Sequence, residues 1–276
     1  MIPRVNLKDP ESVVQRRFTD ALKQTGFCIL SNTNIPYELH KQAYADMKHF
    51  FSLPLTQKVH YEKPHVGRQR GYASYGIEQA ITANVPDPKE FFSIGNMHSQ
   101  NYGCNIFPNF TFEQNAQKLM GQNQRLAYRL LGYVSDDLKG HQHAFGWAWK
   151  NGEHLLRYIH YPESKQKILS AEHEDINLLT ILPYSPQPGL QIQDNQGTWH
   201  DAPLMYEGEV IVDSGDMLKL YSKGIYQSTT HRVIRKTSGE RYSMPFFVHP
   251  EPTFLLDENV TAKAFLEERL RSIGVL

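Results

Sequence analysis

Ala171-Glu172-His173-Glu174-Asp175, followed at once by Leu178-Leu179-Thr180-Ile181-Leu182, sets metal-ligating side chains beside an apolar, strand-like run. In extended backbone, side chains alternate between faces, so His173 and Asp175 point the same way. A neutral imidazole beside a carboxylate offers two metal ligands. A third imidazole, His231, opens another β-type run, His231-Arg232-Val233-Ile234. Two His and one carboxylate with other positions open form a set that first-row transition metals accept. H-x-D is nevertheless a common tripeptide, and 13 His in the chain keep a third imidazole always to hand. Taken alone, the stretch leaves a metal site and a chance pairing both open.

Around this stretch the chain is rich in short β-type runs: Leu155–His160, Leu178–Leu182, Leu190–Gln193, Glu209–Asp213, Met217–Tyr221, His231–Ile234 and Tyr242–Val248. Turn signals such as Pro186-Gln187-Pro188-Gly189 and Asp194-Asn195-Gln196-Gly197 separate them. Many short strands with such turns predict a sandwich or barrel, of which a jelly roll is a common form. The H-x-D pair is expected at the start of one strand and His231 at the start of another, where two such ends can meet at one mouth.

The N-terminal part differs. Glu11 to Thr25 reads as a helix with Val14, Phe18, Ala21 and Leu22 on one face and Gly26 placed to end it. Pro36 opens a second helix. Residues 61–105 show little periodicity and read as a loop-rich wall over a site. A third helix is predicted over 111–138, with Gly121 as an interruption, and a last one over Thr261–Ser272. The expected fold is mainly β with flanking α-helices. One domain spans 1–276: a helical and loop region (1–150), a jelly-roll core carrying the metal pair (151–250) and a C-terminal helix (251–276).

Composition narrows the function. Lys+Arg 29 balance Asp+Glu 29, and no run of like charge stands out, so neither nucleic acid nor a membrane surface is the expected partner. Cys28 and Cys104 make no disulfide framework and no metal spacing. No stretch has the apolar length of a membrane helix or signal peptide. The expected setting is the cytoplasm, as a monomer or weak homo-oligomer acting on a small molecule.

Ten residues after His231 comes Arg241-Tyr242-Ser243. Its spacing of two puts Arg241 and Ser243 on one face, where a guanidinium fork and a hydroxyl suit a carboxylate. An intramolecular salt bridge is the alternative for a lone Arg on a strand. With Fe(II) on His173, Asp175 and His231, the facial triad of non-heme oxygenases, the metal site would be net positive. A small diacid could chelate the metal at one end and need a cation at the other.

These pieces, with Gly215-Asp216-Met217-Leu218 and Phe246-Phe247, resemble the isopenicillin N synthase-like family of 2-oxoglutarate- and Fe(II)-dependent dioxygenases. The likeness continues upstream in Gly26-Phe27-Cys28-Ile29-Leu30, Phe50-Phe51-Ser52-Leu53-Pro54, Gly71-Tyr72 and Asp87-Pro88-Lys89-Glu90-Phe91-Phe92. It implies a double-stranded β-helix, iron on His173, Asp175 and His231, and the 2-oxoglutarate C5 carboxylate on Arg241 and Ser243. Tyr161 aligns with a family Tyr that also contacts the cosubstrate. O₂ is the other cosubstrate, and hydroxylation with release of succinate and CO₂ is the implied reaction. Ile159 replaces the family's Asn in N-Y-Y-P; Arg157, two residues earlier, is expected to replace that contact, to meet a substrate acid, or to form a plain salt bridge. Tyr72, Phe92 and Phe247 fall at the family's substrate-contacting positions, with Arg70 as a candidate anion contact, and all four are equally good core or loop anchors. An oxidase of this fold that dispenses with 2-oxoglutarate and a zinc hydrolase with the same ligands remain alternatives. His141 and His143 lack a nearby carboxylate or Cys for a second site, and Phe145, Trp147 and Trp149 read as packing.

Overall fold

The computed structural model describes residues 2–79, 85–97, 99, 101–138 and 151–272. His141, His143, Phe145, Trp147 and Trp149 lie outside the described residues. Strands are β1 (Arg4–Asn6), β2 (Phe27–Ser31), β3 (Gly71–Ala73), β4 (Glu90–Gly95), β5 (Leu155–Tyr161), β6 (Ile168–His173), β7 (Leu179–Pro183), β8 (Leu190–Gln193), β9 (Trp199–Asp201), β10 (Val210–Ser214), β11 (His231–Ile234), β12 (Arg241–Ser243), β13 (Phe246–Val248), β14 (Leu255–Asp257) and β15 (Val260–Thr261). Helices are α1 (Glu11–Thr25), α2 (Tyr37–Phe51), α3 (Leu55–Lys58), α4 (Phe110–Asp137), α5 (Asp216–Tyr221) and α6 (Ala262–Ser272).

Among the described residues, one large sheet runs β1-β2-β10-β7-β13-β5-β4-β3, with β12 also on β5. A smaller sheet runs β6-β11-β8-β9. Apolar residues pack between the two: Phe91, Ile159 and Tyr161 meet Leu169 and Val233, and Phe27, Ile29 and Ile211 meet Ile192. The result is a double-stranded β-helix. Helices α1, α2 and α4 cover the outer face of the large sheet, where Val14, Phe18, Phe50, Leu126 and Leu130 join Leu156, Tyr158 and Ile181 in one core. Gly26 ends α1 in the left-handed region, φ 67°, with its N–H on the Leu22 carbonyl. No helix of the described residues is long and apolar enough to cross a membrane.

Several expectations change. Strands β3 and β4 both lie inside the stretch read as loop. All six β4 residues are buried, yet Glu90, Ser93 and Gly95 break up its apolar run, so it shows neither polar alternation nor the continuous apolar stretch that marks the equally buried β10. Residues 216–221 form α5 and not a strand: the N–H groups of Asp216 and Met217 are committed to carbonyls of 175–177, and Lys219 N–H turns back to Gly215. Pro245 divides the run 242–248 into β12 and β13. Gly121 does not interrupt α4, because the buried face passes through Leu119, Met120 and Leu126 around it. His173 ends β6 and does not start a strand, and Asp175 stands in the turn that follows.

Candidate functional site

His173 and His231 are cross-strand partners in the antiparallel pairing of β6 with β11. Their ring centroids are 4.4 Å apart. Asp175, carried back by the turn after β6, places Oδ1 3.7 Å from His173 Nε2 and 3.8 Å from His231 Nε2. Ligand atoms of the three lie within 4.8 Å of one another.

Proton positions follow from the partners. His173 Nδ1 donates to the Ala171 carbonyl (2.7 Å) and His231 Nδ1 to the Thr229 carbonyl (3.1 Å). A carbonyl only accepts, so both protons sit on Nδ1 and both Nε2 lone pairs face the Asp175 carboxylate. Burial, reinforced by His173, pushes His231 down to about 4, so it stays neutral. Asp175 Oδ2 accepts from the Thr180 hydroxyl, whose oxygen in turn accepts from Asn177 Nδ2 (2.9 Å). Three lone-pair donors thus converge with no proton between them, an arrangement that suits a divalent cation. The turn itself is pinned from below: Asp216 N–H donates to the Asp175 carbonyl (2.7 Å) and Gly215 N–H to the Leu178 carbonyl (3.2 Å).

The three groups open into a cavity of about 540 Å³, within the range of small-molecule sites. Arg241, Ser243 and Tyr161 line the same cavity. Arg241 is registered against Tyr161, with its guanidinium 5.3 Å from that ring's centroid. It is 5% exposed, and its Nε and Nη1 have no hydrogen-bond partner among the described residues. A buried guanidinium left without an anion is costly. The donor set therefore fits a carboxylate delivered into the cavity.

Of the other expected residues, Arg157 and Phe247 line the cavity. Arg157 stands four residues from Tyr161 along β5, about 13 Å at strand rise, and its Nη1 donates to Glu78 Oε1 (2.8 Å). It is not brought to the Arg241 clamp. Tyr72, Phe92 and Arg70 are not on the cavity wall. Tyr72 and Phe92 face each other across β3 and β4, with their rings against Phe50 on the helix side; it is Phe91, one residue earlier, that points inward. Arg70 is buried over the Tyr102 ring and near Glu153.

Four residues that the spacing arguments passed over belong to the site. Lys89 Nζ lies 3.1 Å from Glu78 and 2.9 Å from Asp87 in the cavity wall. Asp87 Oδ1 accepts from Ala171 N–H (2.9 Å), the residue whose carbonyl orients His173. Asp213 lies beside Asp175, and burial together with that neighbour holds its carboxyl well above the usual carboxylate range. The Asp87-Pro88-Lys89-Glu90 motif was the available signal for the pair Asp87 and Lys89; Glu78 and Asp213 carried none.

Residues 152–250 match the family model of the 2OG-Fe(II) oxygenase superfamily. Residues 2–110 match the model of the non-haem dioxygenase N-terminal region, described from morphine synthesis. Clavatol oxidase claD of Penicillium crustosum is 29% identical over 91% of this chain and 87% of that protein. A Shewanella oneidensis crystal structure described as an oxygenase is 31% identical, covers 99% of both chains and superposes with a TM-score of 0.79. The crystal structure of JOX2 in complex with 2OG, Fe and JA is 25% identical, with a TM-score of 0.82 over 99% of this chain and 85% of that one.

Proposed function

The chain belongs to the 2-oxoglutarate–Fe(II) oxygenase superfamily and is an Fe(II)- and 2-oxoglutarate-dependent dioxygenase; on that premise we propose that His173, Asp175 and His231 hold the iron and that Arg241, Ser243 and Tyr161 take the far carboxylate of 2-oxoglutarate. Iron held by these residues would supply O₂ activation coupled to oxidative decarboxylation of 2-oxoglutarate to succinate and CO₂, for the hydroxylation or other oxidation of a small-molecule C–H bond.

This chain's residues orient and insulate that chemistry. The Ala171 and Thr229 carbonyls fix both imidazoles through Nδ1, leaving Nε2 for the metal, and Thr180 holds the carboxylate through Oδ2. Arg241 supplies the positive charge that a C5 carboxylate needs. The observation that carries the assignment is the buried guanidinium of Arg241 in the cavity of the three ligands, its Nε and Nη1 without a hydrogen-bond partner among the described residues. Residues 1–276 are read as one oxygenase domain. With both cysteines free, its place is the reducing cytoplasm, as a monomer or weak homo-oligomer, with a small molecule and not nucleic acid as substrate.

The test is to purify the protein without oxygen, add Fe(II), 2-oxoglutarate and air, and measure succinate with and without small-molecule panels. Succinate that requires both Fe(II) and 2-oxoglutarate is expected. Metal-loaded protein that yields none under any condition would favour the oxidase of the same fold.

A further inference from the structure

The wall built by β5 and β13 beyond the iron ligands and the carboxylate clamp carries polar groups that neither of those uses. Phe247 is registered against Leu155, and Arg157 N–H donates to the Pro245 carbonyl (3.0 Å). Two residues apart, Phe247 and His249 share a face, and both line the cavity. The Arg157 guanidinium lies 4.2 Å from the Phe91 ring centroid and 5.6 Å from that of Phe247, while its Nε makes no hydrogen bond among the described residues. His249 is 6% exposed, and its Nδ1 is likewise without a partner. Buried polar atoms of this kind are costly unless something meets them.

The formal charges on this wall close among themselves. Arg157 and Lys89 share Glu78, at 2.8 and 3.1 Å, and Lys89 also holds Asp87 at 2.9 Å. That is two cations against two anions. Burial raises Glu78, but Arg157 and Lys89 outweigh it and hold the carboxyl at about 2. Burial also pushes His249 down to about 3, with His154 and Arg157 acting in the same direction against Asp175 and the Phe247 backbone, so its imidazole is neutral. Among the described residues, what this part of the wall offers a ligand is therefore a donor N–H, an uncharged ring nitrogen and an aromatic face, with no net charge.

Building on the oxygenase reading above, we propose that this wall selects an uncharged substrate with a hydrogen-bond acceptor at one end and an N–H or O–H donor at the other. Arg157 Nε meets the acceptor, His249 meets the donor, and Phe247 supports the apolar part between. An anionic substrate would compete with Glu78 for Arg157, and a cationic one would face Arg157 without an anion of its own.

The test uses the full chain with Fe(II) and 2-oxoglutarate under nitrogen, and compares binding of 4-hydroxyacetophenone, 4-methoxyacetophenone, 4-hydroxybenzoate and tyramine. The first carries both groups, the second lacks the donor, and the last two add a negative or positive charge. The neutral donor–acceptor compound is expected to bind about tenfold or more tighter than each of the others, in line with the loss of one buried hydrogen bond. In His249→Leu the advantage over the methoxy compound is expected to vanish, and in His249→Gln, which keeps a neutral acceptor, to return. A wild-type protein that prefers the acid or the amine, or binds no member of the set, overturns the proposal. So does a His249→Leu protein of native circular dichroism that discriminates as the wild type does. Succinate formation by the wild type in air is run alongside; its absence counts against the oxygenase reading, while the binding order judges the wall by itself.

Discussion

His231, the first residue of β11, stands directly across the small sheet from His173, the last residue of β6. Each ring nitrogen Nδ1 donates to the carbonyl two residues earlier in its own chain. The same local device, repeated on two strands, aims both bare Nε2 atoms at one carboxylate oxygen. Register does the rest: a slip of one residue in β11 would turn His231 to the opposite face.

Thr180 is the residue that orients Asp175 from behind. Thr180→Val keeps the shape and removes the hydroxyl that donates to Asp175 Oδ2. Fe(II) affinity should fall by about 10- to 100-fold, the usual cost of losing such a partner, and stability by about 1–3 kcal/mol, because buried Asn177 Nδ2 loses its acceptor. Anaerobic Fe(II) titration measures it; an unchanged affinity would mean the hydroxyl has no part in holding the ligand.

Gly215 is required by proximity and not by its backbone angles. A Cβ there would stand 2.4 Å from the Asn177 carbonyl oxygen and 2.6 Å from that of Asp175. Gly215→Ala must displace the 175–177 turn, so we expect about 1–3 kcal/mol of destabilisation together with weaker Fe(II) binding. Denaturant unfolding and metal titration on the same protein check both; a loss of stability with full iron affinity would separate the turn from the ligand.

Arg241→Ala should raise the 2-oxoglutarate requirement and leave binding of 2-oxovalerate, which lacks the C5 carboxylate, nearly unchanged. A hydrogen bond to a charged group contributes about 1.5–3 kcal/mol, which is roughly a 10- to 150-fold change in half-saturation. Equal losses for both keto acids would remove Arg241 from the C5 end.

His40 on α2 is fully buried, and neither ring nitrogen has a hydrogen-bond partner among the described residues. Burial lowers its pKa from 6.5 to about 4. Between those values the unfolded chain binds a proton that the folded protein refuses, so stability is complete above about 6.5 and falls as pH drops toward 4. The slope from this residue is about 1.4 kcal/mol per pH unit across that window. Replacing His40 with Leu should remove that slope, as read from urea unfolding at pH 7 and pH 5; parallel losses in both proteins would contradict it.

Much of this site was legible in the sequence because its residues come at short, regular spacings: His173 and Asp175, Arg241 and Ser243, each two apart, and His231 at the head of a β-type run. Strand β4 was hidden because Glu90, Ser93 and Gly95 interrupt its apolar run although all six positions are buried. Helix α5 was hidden because its start is set by carbonyls of residues 175–177, forty positions upstream. Phe91 and Phe92 show how parity decides roles: adjacent aromatics in one motif, of which the first faces the barrel and the second the helices. The pairing of Arg157 with Glu78 joins residues 79 positions apart, and no local pattern encodes it.

The central claim is that iron sits on His173, Asp175 and His231, and anaerobic Fe(II) titration of the wild type against Asp175→Ala tests it most directly. One tightly bound Fe(II) per wild-type chain is expected, and none at the same concentrations in Asp175→Ala, with the circular dichroism of the two proteins alike. Equal stoichiometry and affinity in both would contradict it.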